Sequence, residues 1–406
     1  MKVLHISHTD LGSGAFAASF RLHHALQKSG IESLQLVKYK NSTDKNVITF
    51  IPKFNFIRDL LSSSISLCMA VLDFPYINLP RSINYLPSSI HTKINALHPD
   101  IVHIQWIGDN FLPIPSLLQI KAPIVWTFHD LWPIQGIYHY QESRKHGVIA
   151  DLINSVVVKY KHRDILKRKD IYIVSPSKWM ESNVQESYLQ SFQNVCIPNC
   201  INTDTFAPIN KLKARRILNL DQQKKIVIFG ASDLNDPRKG FQDFIIAMKD
   251  IYKLPSIQDR LQILVYGSGS IDSKISADLP ILHMGFINDQ NKMALVLAAA
   301  DISVFPSKID NLPSTILESL SCGTPVVSYD VGGIRDLVKH KINGYLANEG
   351  KVTQLTAGIK LLLNLNTTEI AKMRKASRKL VQHSFSMKVV AQKHIKYYKN
   401  IVARIN

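Results

Sequence analysis

The sequence predicts an α/β protein with two doubly wound domains, each built around a parallel sheet. Short apolar runs, typical of buried parallel strands, alternate in two successive series with longer segments of helical periodicity. The 406 residues, 46% of them apolar, are enough for two or three domains with their own cores. Polar turn residues and two prolines in 198–208 separate the two series. We therefore expect two Rossmann-like domains that face each other across a cleft.

The first series opens as a strand, a glycine turn, a helix and a second strand. The strand at 2–6 is followed by Gly12 and Gly14, and Gly30 ends the helix predicted over 16–29. An irregular and largely apolar insertion occupies 48–90. The other strands of this series are predicted at 34–39, 101–104, 124–128 and 171–174.

The second series repeats this alternation and is followed by a basic helix at 386–405. Its strands are predicted at 225–229, 261–266, 281–284, 301–305 and 325–329. The apolar stripe of the terminal helix is predicted to be Val389, Val390, Ile395 and Tyr398. We expect domains at 1–203 and 204–383, and a C-terminal segment, 384–406, that packs back toward the first domain.

Composition and charge limit the classes of partner. The 49 Lys and Arg against 31 Asp and Glu give a net charge of +18, which favours nucleotides, sugar phosphates, nucleic acid or acidic lipid. No stacking motif or helix-turn-helix pattern supports nucleic acid. The four cysteines lack the spacing of a redox or zinc motif, and no signal peptide is apparent, so we expect a cytoplasmic protein with reduced thiols. The 13 residues of Leu60–Leu72 are too few to span a bilayer.

The glycine turn can bind a phosphate. Gly12-Ser-Gly14-Ala-Phe-Ala17 follows a strand and opens a helix, so its backbone N–H groups and the helix dipole can face an anion. A dinucleotide site also needs an acidic residue after the second strand, where this chain has Lys38 and Lys40. Because lysines suit a 2′-phosphate, an NADP-linked reductase remains an alternative. A structural turn that binds no ligand is another.

The most informative passage begins at Phe305 and ends at Arg335. In it Asp310 and Glu318 are eight residues apart, about 10 to 12 Å if most of the run is helical. That separation exceeds the range of glycosidase acid pairs and suits the two ends of one ligand, such as the sugar and ribose of a sugar nucleotide. Free N–H groups at 311–315 would lie near its diphosphate. A solvated charged face is the alternative.

These residues resemble the retaining glycosyltransferases of family 4, often called group 1, which have the GT-B fold. Asp310 and Glu318 look like the E-x7-E region of that family. The resemblance covers most of the chain and is similar in spacing, from Trp132 to Tyr140, to the bacterial exopolysaccharide, colanic-acid and O-antigen subgroup. Its other motifs are Gly12–Gly14, 99–106, 127–133, 174–178, 197–199, Arg238-Lys-Gly240, 266–269 and 322–333.

The resemblance implies a donor site in the second domain. Lys239 would stabilise the leaving diphosphate, with Arg238 as a second candidate because Ala231 replaces the family arginine. Glu318 would bind the donor ribose, and Asp310, where relatives usually carry glutamate, the sugar hydroxyls. The backbone of Asn311 and Leu312 would flank the same sugar. From the first, acceptor-side domain, Gly14 would approach the diphosphate.

The resemblance also implies a role for His129 at the junction of acceptor and donor sugar. A neutral imidazole there can bind a hydroxyl and stabilise positive charge developing on the sugar. His103 and His139 rank lower, as architectural or acceptor-side residues. The reaction would be a metal-independent, hexosyl-type transfer with retention, in which the leaving phosphate deprotonates the acceptor and no side chain is an obligatory nucleophile. The nucleotide sugar is a co-substrate, and no cofactor is expected.

The basic excess predicts contact with the inner face of the cytoplasmic membrane. Polybasic residues near the apolar stretch 56–80 would dock on anionic lipid, where a polyprenyl-linked saccharide acceptor could be reached. The cations are Arg144, Lys145, Lys159, Lys161, Arg163, Lys167, Arg168 and Lys169. Ordinary solvated helices and a non-catalytic binder of nucleotide sugars or polyanions are alternatives. The sequence leaves open UDP or GDP, the sugar, the acceptor and the oligomeric state.

Overall fold

A computed structural model describes residues 1–12, 14–51, 55–72, 81–140 and 148–405. The chain forms two compact units, Met1–Asn199 with Val390–Asn406 and Cys200–Val389. Each unit contains one sheet whose strands all pair in parallel. The α/β class and the two doubly wound sheets that the sequence predicts are confirmed.

The first unit has a seven-stranded sheet in the order β3-β2-β1-β4-β5-β6-β7. Its strands are β1 (Lys2–Thr9), β2 (Glu32–Tyr39), β3 (Val47–Thr49), β4 (Ile101–Ile104), β5 (Ile124–Thr127), β6 (Ile171–Ser175) and β7 (Asn194–Cys196). Its helices are α1 (Ala15–Lys28), α2 (Asn55–Leu72), α3 (Ile90–Ala96), α4 (Val148–Leu166) and α5 (Lys178–Gln185), with a 3-10 segment at Ile114–Gln119. The core lies between the sheet and these helices, and Trp126 and Trp132 are its largest buried side chains.

The second unit has a six-stranded sheet in the order β10-β9-β8-β11-β12-β13. Its strands are β8 (Lys225–Asp233), β9 (Leu261–Ser268), β10 (Ile281–His283), β11 (Ile302–Phe305), β12 (Val326–Tyr329) and β13 (Gly344–Ala347). The helices are α6 (Lys211–Ile217), α7 (Phe241–Tyr252), α8 (Pro255–Gln258), α9 (Ser273–Asp278), α10 (Gln290–Ala299), α11 (Ser314–Ser321), α12 (Ile334–Leu337), α13 (Val352–Leu363) and α14 (Thr367–Ser384). A 3-10 turn occupies Pro237–Lys239.

The final helix, α15 (Met387–Ile405), packs on the first unit through a face that the sequence predicted only in part. Val390 and Tyr398 of the predicted stripe are buried, whereas Val389 and Ile395 are half-buried. The Tyr398 hydroxyl is 2.6 Å from His103 Nδ1 on β4. The rest of the buried face is Ala391, His394, Tyr397 and Ile401.

Three edge strands and one helix were not predicted. β3, β7 and β13 are only partly buried and lack the continuous apolar run by which the sequence predicts a buried parallel strand. The insertion predicted as irregular contains the 18-residue helix α2. Within the described ranges, no helix combines the length and hydrophobicity required to cross a membrane.

Candidate active site

In the second unit, two loops meet at the point where the strand order reverses. β8 and β11 are adjacent, and the crossovers from them run in opposite directions along the sheet. Doubly wound sheets bind ligands outside the carboxyl ends of the strands at such a point. The loop after β8 contains Arg238 and Lys239, and the loop after β11 contains Asp310. The fold therefore brings these sequence-predicted residues to the position where a ligand is expected.

Lys239 and Asp310 form an ion pair that joins the two loops. Lys239 Nζ is 2.6 Å from Asp310 Oδ2, with 29% and 13% of the side chains exposed. Gly240 holds the loops close together, because a Cβ at this residue would lie 2.0 Å from the carbonyl oxygen of Pro306. Its φ of 73° also favours glycine. The close approach of the backbones thus positions the charged pair.

A second glycine turn supports Asp310 from the other side. Gly333 N–H donates to the Asp310 carbonyl oxygen at 3.1 Å. At Gly332 a Cβ would lie 1.9 Å from the same oxygen, and the φ of 53° is itself in the left-handed region. The sequence showed this glycine pair as a motif, but only the structure shows that it contacts the backbone of Asp310.

Arg238 has a different partner from Lys239. Its Nε and Nη2 donate to the two carboxylate oxygens of Asp236, at 3.0 and 2.6 Å. The Asp236 side chain also accepts from the Arg238 backbone N–H at 3.0 Å, which starts the 3-10 turn. This bidentate arrangement directs the guanidinium toward Asp236, whereas Lys239 faces the loop after β11.

Asn311, Leu312 and Glu318, which follow Asp310 along the chain, are all buried. Helix α11 begins at Ser314, so 314–318 are helical and 310–313 form the loop before the helix. Pro313, the N-cap, makes no side-chain hydrogen bond to the first turn. The first N–H groups of α11 therefore rely on another acceptor or on solvent, as the sequence predicts for an anion site.

Tyr266 opens the motif at 266–269 but was not among the predicted site residues. Burial, and secondly the charge of Glu318, raise the pKa of its phenol well above the ordinary value. In the part of the chain that the structure describes, the hydroxyl has no hydrogen-bond partner. A Cβ at Gly230 would lie 2.0 Å from Cζ of this ring, so glycine is needed for the ring to pack on β8.

In the first unit, His129 follows β5 and is tied to Gln105, which follows β4. His129 Nε2 is 2.8 Å from Gln105 Oε1, and Gln105 Nε2 is 3.3 Å from His5 Nδ1. With the amide oxygen accepting and the amide nitrogen donating, His129 carries its proton on Nε2. Burial lowers the pKa of His129 to about 4, against the opposing charge of Asp130. The imidazole is therefore neutral at physiological pH.

Asp130 fixes the loop that carries His129. It accepts from His139 Nδ1 at 2.6 Å, from Trp106 Nε1 at 3.0 Å and from the Trp132 backbone N–H at 3.0 Å. Burial raises the pKa of Asp130, but His139 and the other hydrogen bonds outweigh it, so the pKa is lowered. His139 is thus an internal partner of Asp130, and His103 similarly bonds Thr127 Oγ1 at 2.7 Å.

Gly14 is the N-cap of α1 and has a φ of 59°. A Cβ there would meet no atom within 4 Å, so the backbone conformation, rather than crowding, favours glycine. Phe16, in the first turn of α1, contacts Trp106 with ring centroids 5.4 Å apart. Trp106 therefore links the glycine turn to Asp130. Gly14 and His129 belong to the first unit, and the other predicted site residues to the second.

Lys38 and Lys40, which left an NADP-linked reductase as an alternative function, bond to other groups of the chain. Lys38 Nζ lies 2.6 Å from Asp59 Oδ1. Lys40 Nζ donates to the carbonyl oxygens of Asp44 and Val47 at 2.6 and 2.9 Å. Both ammonium groups are thus engaged by the chain itself rather than directed to a 2′-phosphate.

The predicted basic surface needs correction at two positions. Lys161 is buried and donates to the carbonyl oxygens of Gln135 and Gly136, both at 2.7 Å. Arg168 is buried and donates to carbonyl oxygens of the 3-10 segment and its flank. The prediction that Lys161 and Arg168 are surface cations is wrong. Their side chains are buried because the carbonyl groups of nearby loops need hydrogen-bond donors inside the fold. Arg144 and Lys145 lie outside the described residues.

Two sequence profiles match the chain, one in each half. The profile described as "Glycosyltransferase Family 4" matches residues 67–205, and "Glycosyl transferases group 1" matches 210–380. Together they span 67–380 with a gap of only 206–209. The chain belongs to the family 4, group 1 glycosyltransferases.

Curated relatives of this glycosyltransferase are named for different reactions and pathways. A D-inositol 3-phosphate glycosyltransferase of Thermobispora bispora is 27% identical over 60% of this chain and 57% of its own length. A putative colanic acid biosynthesis glycosyl transferase of Escherichia coli is 24% identical over 75% of this chain and 76% of its own. The chain thus spans less than two thirds of the first of these relatives.

Solved structures establish that this glycosyltransferase has the GT-B fold. Sucrose-phosphate synthase from Thermosynechococcus elongatus has a TM-score of 0.73 and 19% identity, covering 99% of each chain. Anabaena HepE, solved with UDP-glucose, has a TM-score of 0.66 and 16% identity, covering 98% of this chain and all of its own. The fold predicted from the motifs is confirmed.

Proposed function

We propose that this protein transfers a hexosyl group from a nucleoside diphosphate sugar to a saccharide acceptor, with retention of anomeric configuration and without a metal. The observation that carries the proposal is the Lys239–Asp310 pair at the strand-order reversal of the second unit. Family membership and the UDP-glucose complex of Anabaena HepE support a sugar nucleotide as the donor.

Each member of the pair can exchange its partner for part of the donor. The diphosphate offers oxygens that can accept from Lys239, and the sugar hydroxyls can donate to Asp310. The ion pair holds both side chains in position before the donor binds. The diphosphate then replaces Asp310 as the partner of Lys239, and a sugar hydroxyl replaces Lys239 as the partner of Asp310. A preorganised cation is most effective where negative charge develops on the leaving group. The first N–H groups of α11 would add to this field, and Glu318 would bind the ribose.

The transfer balances without a protein nucleophile. The bond between the anomeric carbon and the phosphate oxygen breaks, and a bond to the acceptor oxygen forms on the same face of the sugar. The acceptor proton passes to the departing phosphate oxygen. His129 would stabilise the positive charge of the sugar as a neutral hydrogen-bonding group, which fits its lowered pKa. Gly14, Asn311 and Leu312 would present backbone to the donor, with Arg238 as a second cation.

The acceptor class and location are part of the same proposal. The likeness to the Escherichia coli relative, which is named for colanic acid biosynthesis, supports a role in cell-surface polysaccharide synthesis. A polyprenyl-diphosphate-linked saccharide would place the protein on the inner face of the cytoplasmic membrane. UDP and GDP donors are both compatible with the described residues.

A ligand panel followed by turnover tests the proposal. UDP, GDP and NADP are compared by thermal shift, since a ligand at 100 times its Kd stabilises by about 2.7 kcal/mol. UDP or GDP should stabilise, and the matching sugar nucleotide should be consumed with a lipid-linked or soluble saccharide, equally well with EDTA. The anomeric configuration of the product is then read by NMR. Stabilisation by NADP alone, or donor binding without turnover on any acceptor, would refute it.

A further inference from the structure

Helix α2 is attached to the first unit through its polar side. Arg58 Nη2 donates to the Asn110 carbonyl oxygen at 2.7 Å, and Ser62 Oγ accepts from Asn110 Nδ2 at 2.8 Å. Asp59 accepts from Lys38. Ile65, on the same side, packs against a small buried cluster. These contacts orient α2 with its polar and half-buried residues toward the protein.

The opposite face of α2 is apolar and exposed. Phe56 is 80% exposed, and Leu67 and Val71 are both 63% exposed. At 100° per residue, the exposed apolar residues of α2 lie on one side of the helix. They are Phe56, Ile57, Leu60, Leu61, Leu67 and Val71. A helix that binds its protein by the polar side and presents apolar residues outward is the reverse of an ordinary surface helix in water.

Helix α4 extends this surface and adds positive charge. α2 and α4 are in contact, and Val148, 86% exposed, starts a row on α4 that recurs every four residues. The row continues with Leu152, Val156 and Tyr160, and Ile149 is exposed beside it. By the same helical geometry, Lys159 and Arg163 lie on this face toward the C-terminal end of α4, and Lys167 is exposed just beyond that end. Arg163 and Lys167 share Asp164 as a partner, so the three cations keep a net positive charge. The face is therefore apolar at one end and cationic at the other.

We propose that the exposed faces of α2 and α4 insert into an anionic membrane leaflet. This deepens the proposed function, on which it rests for the lipid-linked acceptor. Apolar residues would enter the boundary of headgroups and acyl chains, while the cations of α4 meet acidic headgroups. The net charge of +18 complements such a surface. A second copy fits less well, because a twofold contact through the whole face would set its cations either against the same cations of the other copy or against its apolar residues.

Cys68 gives a direct test because it lies on the α2 face and is exposed, whereas Cys196 is half-buried and Cys200 and Cys322 are buried. The full chain is labelled with an environment-sensitive NBD maleimide, and Cys68→Ser labelled in parallel reports background. Vesicles of phosphatidylcholine with 30% phosphatidylglycerol should shift NBD emission to the blue, and lipids brominated on the acyl chain should quench it. Pure phosphatidylcholine should bind more weakly.

Two variants separate the apolar and cationic contributions. Leu60→Glu with Leu67→Glu should abolish co-sedimentation with anionic vesicles, whereas Ile246→Glu with Ile342→Glu, also exposed apolar positions, should not. Lys159→Gln with Lys167→Gln should weaken binding about 30-fold, at roughly fivefold per cation. Lys360→Gln with Lys375→Gln is the matched control on the second unit. Circular dichroism and melting temperature confirm folding.

The outcomes distinguish this proposal from the enzymatic one. Vesicle binding is measured without donor, and turnover is measured with a soluble saccharide acceptor, so either can fail alone. Absence of binding to anionic vesicles would overturn the membrane surface. Vesicle binding in which the emission of the label on Cys68 stays at its wavelength in water would also overturn it. A blue shift in the absence of lipid, together with a dimer in light scattering, would show that a second copy covers this face instead.

Discussion

Lys239 Nζ and Asp310 Oδ2 are 2.6 Å apart, and they come from loops that follow the two adjacent strands β8 and β11. The pair is only partly exposed, so it interacts more strongly than a fully hydrated surface ion pair. Two glycines, Gly240 and Gly332, bring the backbones of the neighbouring loops against it. Substitutions on either side of the pair should therefore have opposite effects on nucleotide binding.

Lys239→Gln should lower kcat about 100- to 1,000-fold, which is the range for removing one preorganised group that stabilises developing negative charge. It should also weaken binding of the nucleoside diphosphate, measured by calorimetry. Lys249→Gln is the control, because Lys249 forms an exposed ion pair with Asp278 on the same unit. Equal losses in both variants would argue against a specific role for Lys239.

Asp310→Asn should leave the affinity for the nucleoside diphosphate unchanged or raise it several-fold. In this variant no ion pair has to break before Lys239 can bind the diphosphate. The transfer rate should nevertheless fall about 10- to 100-fold through loss of charged hydrogen bonds to the sugar. Steady-state kinetics with the sugar nucleotide and calorimetry with the nucleotide alone separate the two effects. Weaker nucleotide binding in this variant would contradict the proposed exchange of partners.

Gly332→Ala should destabilise the protein more than Gly350→Ala. Both glycines have positive φ, 53° and 69°, so each alanine pays about 1 to 2 kcal/mol of backbone strain. Only at Gly332 would the new Cβ lie 1.9 Å from the Asp310 carbonyl oxygen, whereas nothing lies within 4 Å at Gly350. Urea unfolding should show the difference, and turnover should fall only in Gly332→Ala. Equal stability of the two variants would exclude this contact as a constraint.

Gln105→Glu should move the pH profile of turnover. With the native amide, the pKa of His129 is about 4, so its charge does not change between pH 5 and 8. A carboxylate at Gln105 favours the imidazolium and raises this pKa, so the acidic limb of kcat should move up by at least one pH unit. Gln105→Leu removes the partner without adding charge and should lower kcat without that displacement. A profile unchanged in Gln105→Glu would refute the coupling.

Acid should destabilise the first unit through its buried histidines. His5, His103 and His394 have adjacent rings, 5.1 and 5.4 Å apart, and burial lowers the pKa of each. Folded pKa values below the unfolded 6.5 mean that the unfolded chain binds more protons, so stability falls as pH drops below about 6.5. For each histidine that stays neutral in the folded chain, the free energy of unfolding falls by about 2 kcal/mol between pH 7 and pH 5.

His394→Leu isolates one of these contributions. Its Nδ1 has no hydrogen-bond partner among the described residues, so an apolar replacement should cost little at pH 7. Relative to the native chain, the variant should gain stability as pH falls from 7 to 5, in denaturant unfolding at each pH. A constant difference between the two proteins across that range would show that His394 does not titrate on unfolding.

Local patterns were sufficient for the buried central strands, and they showed the charged motifs that the sequence assigns to the donor side. β1, β4 and β5 are apolar and end in turns that the sequence shows, and Asp310, Glu318 and Lys239 stand out as charges near glycines and helix starts. α2 was missed because its serines and exposed apolar face do not give the pattern of a helix packed by its apolar side. Lys161 and Arg168 looked like surface charges because the carbonyls they bind are distant in sequence.

By itself, the order of residues determined the two parallel sheets, the glycine turns and which side chains carry charge, since these depend on neighbours along the chain. Only tertiary structure decided the partner of each charge. Lys239 meets Asp310 after 71 residues because sheet order places β8 beside β11. His103 meets Tyr398 after 295 residues because helix α15 packs on the first unit. Hydrogen bonds and ion pairs depend on distance in space, and that distance is set by the arrangement of strands and the packing of helices rather than by local sequence.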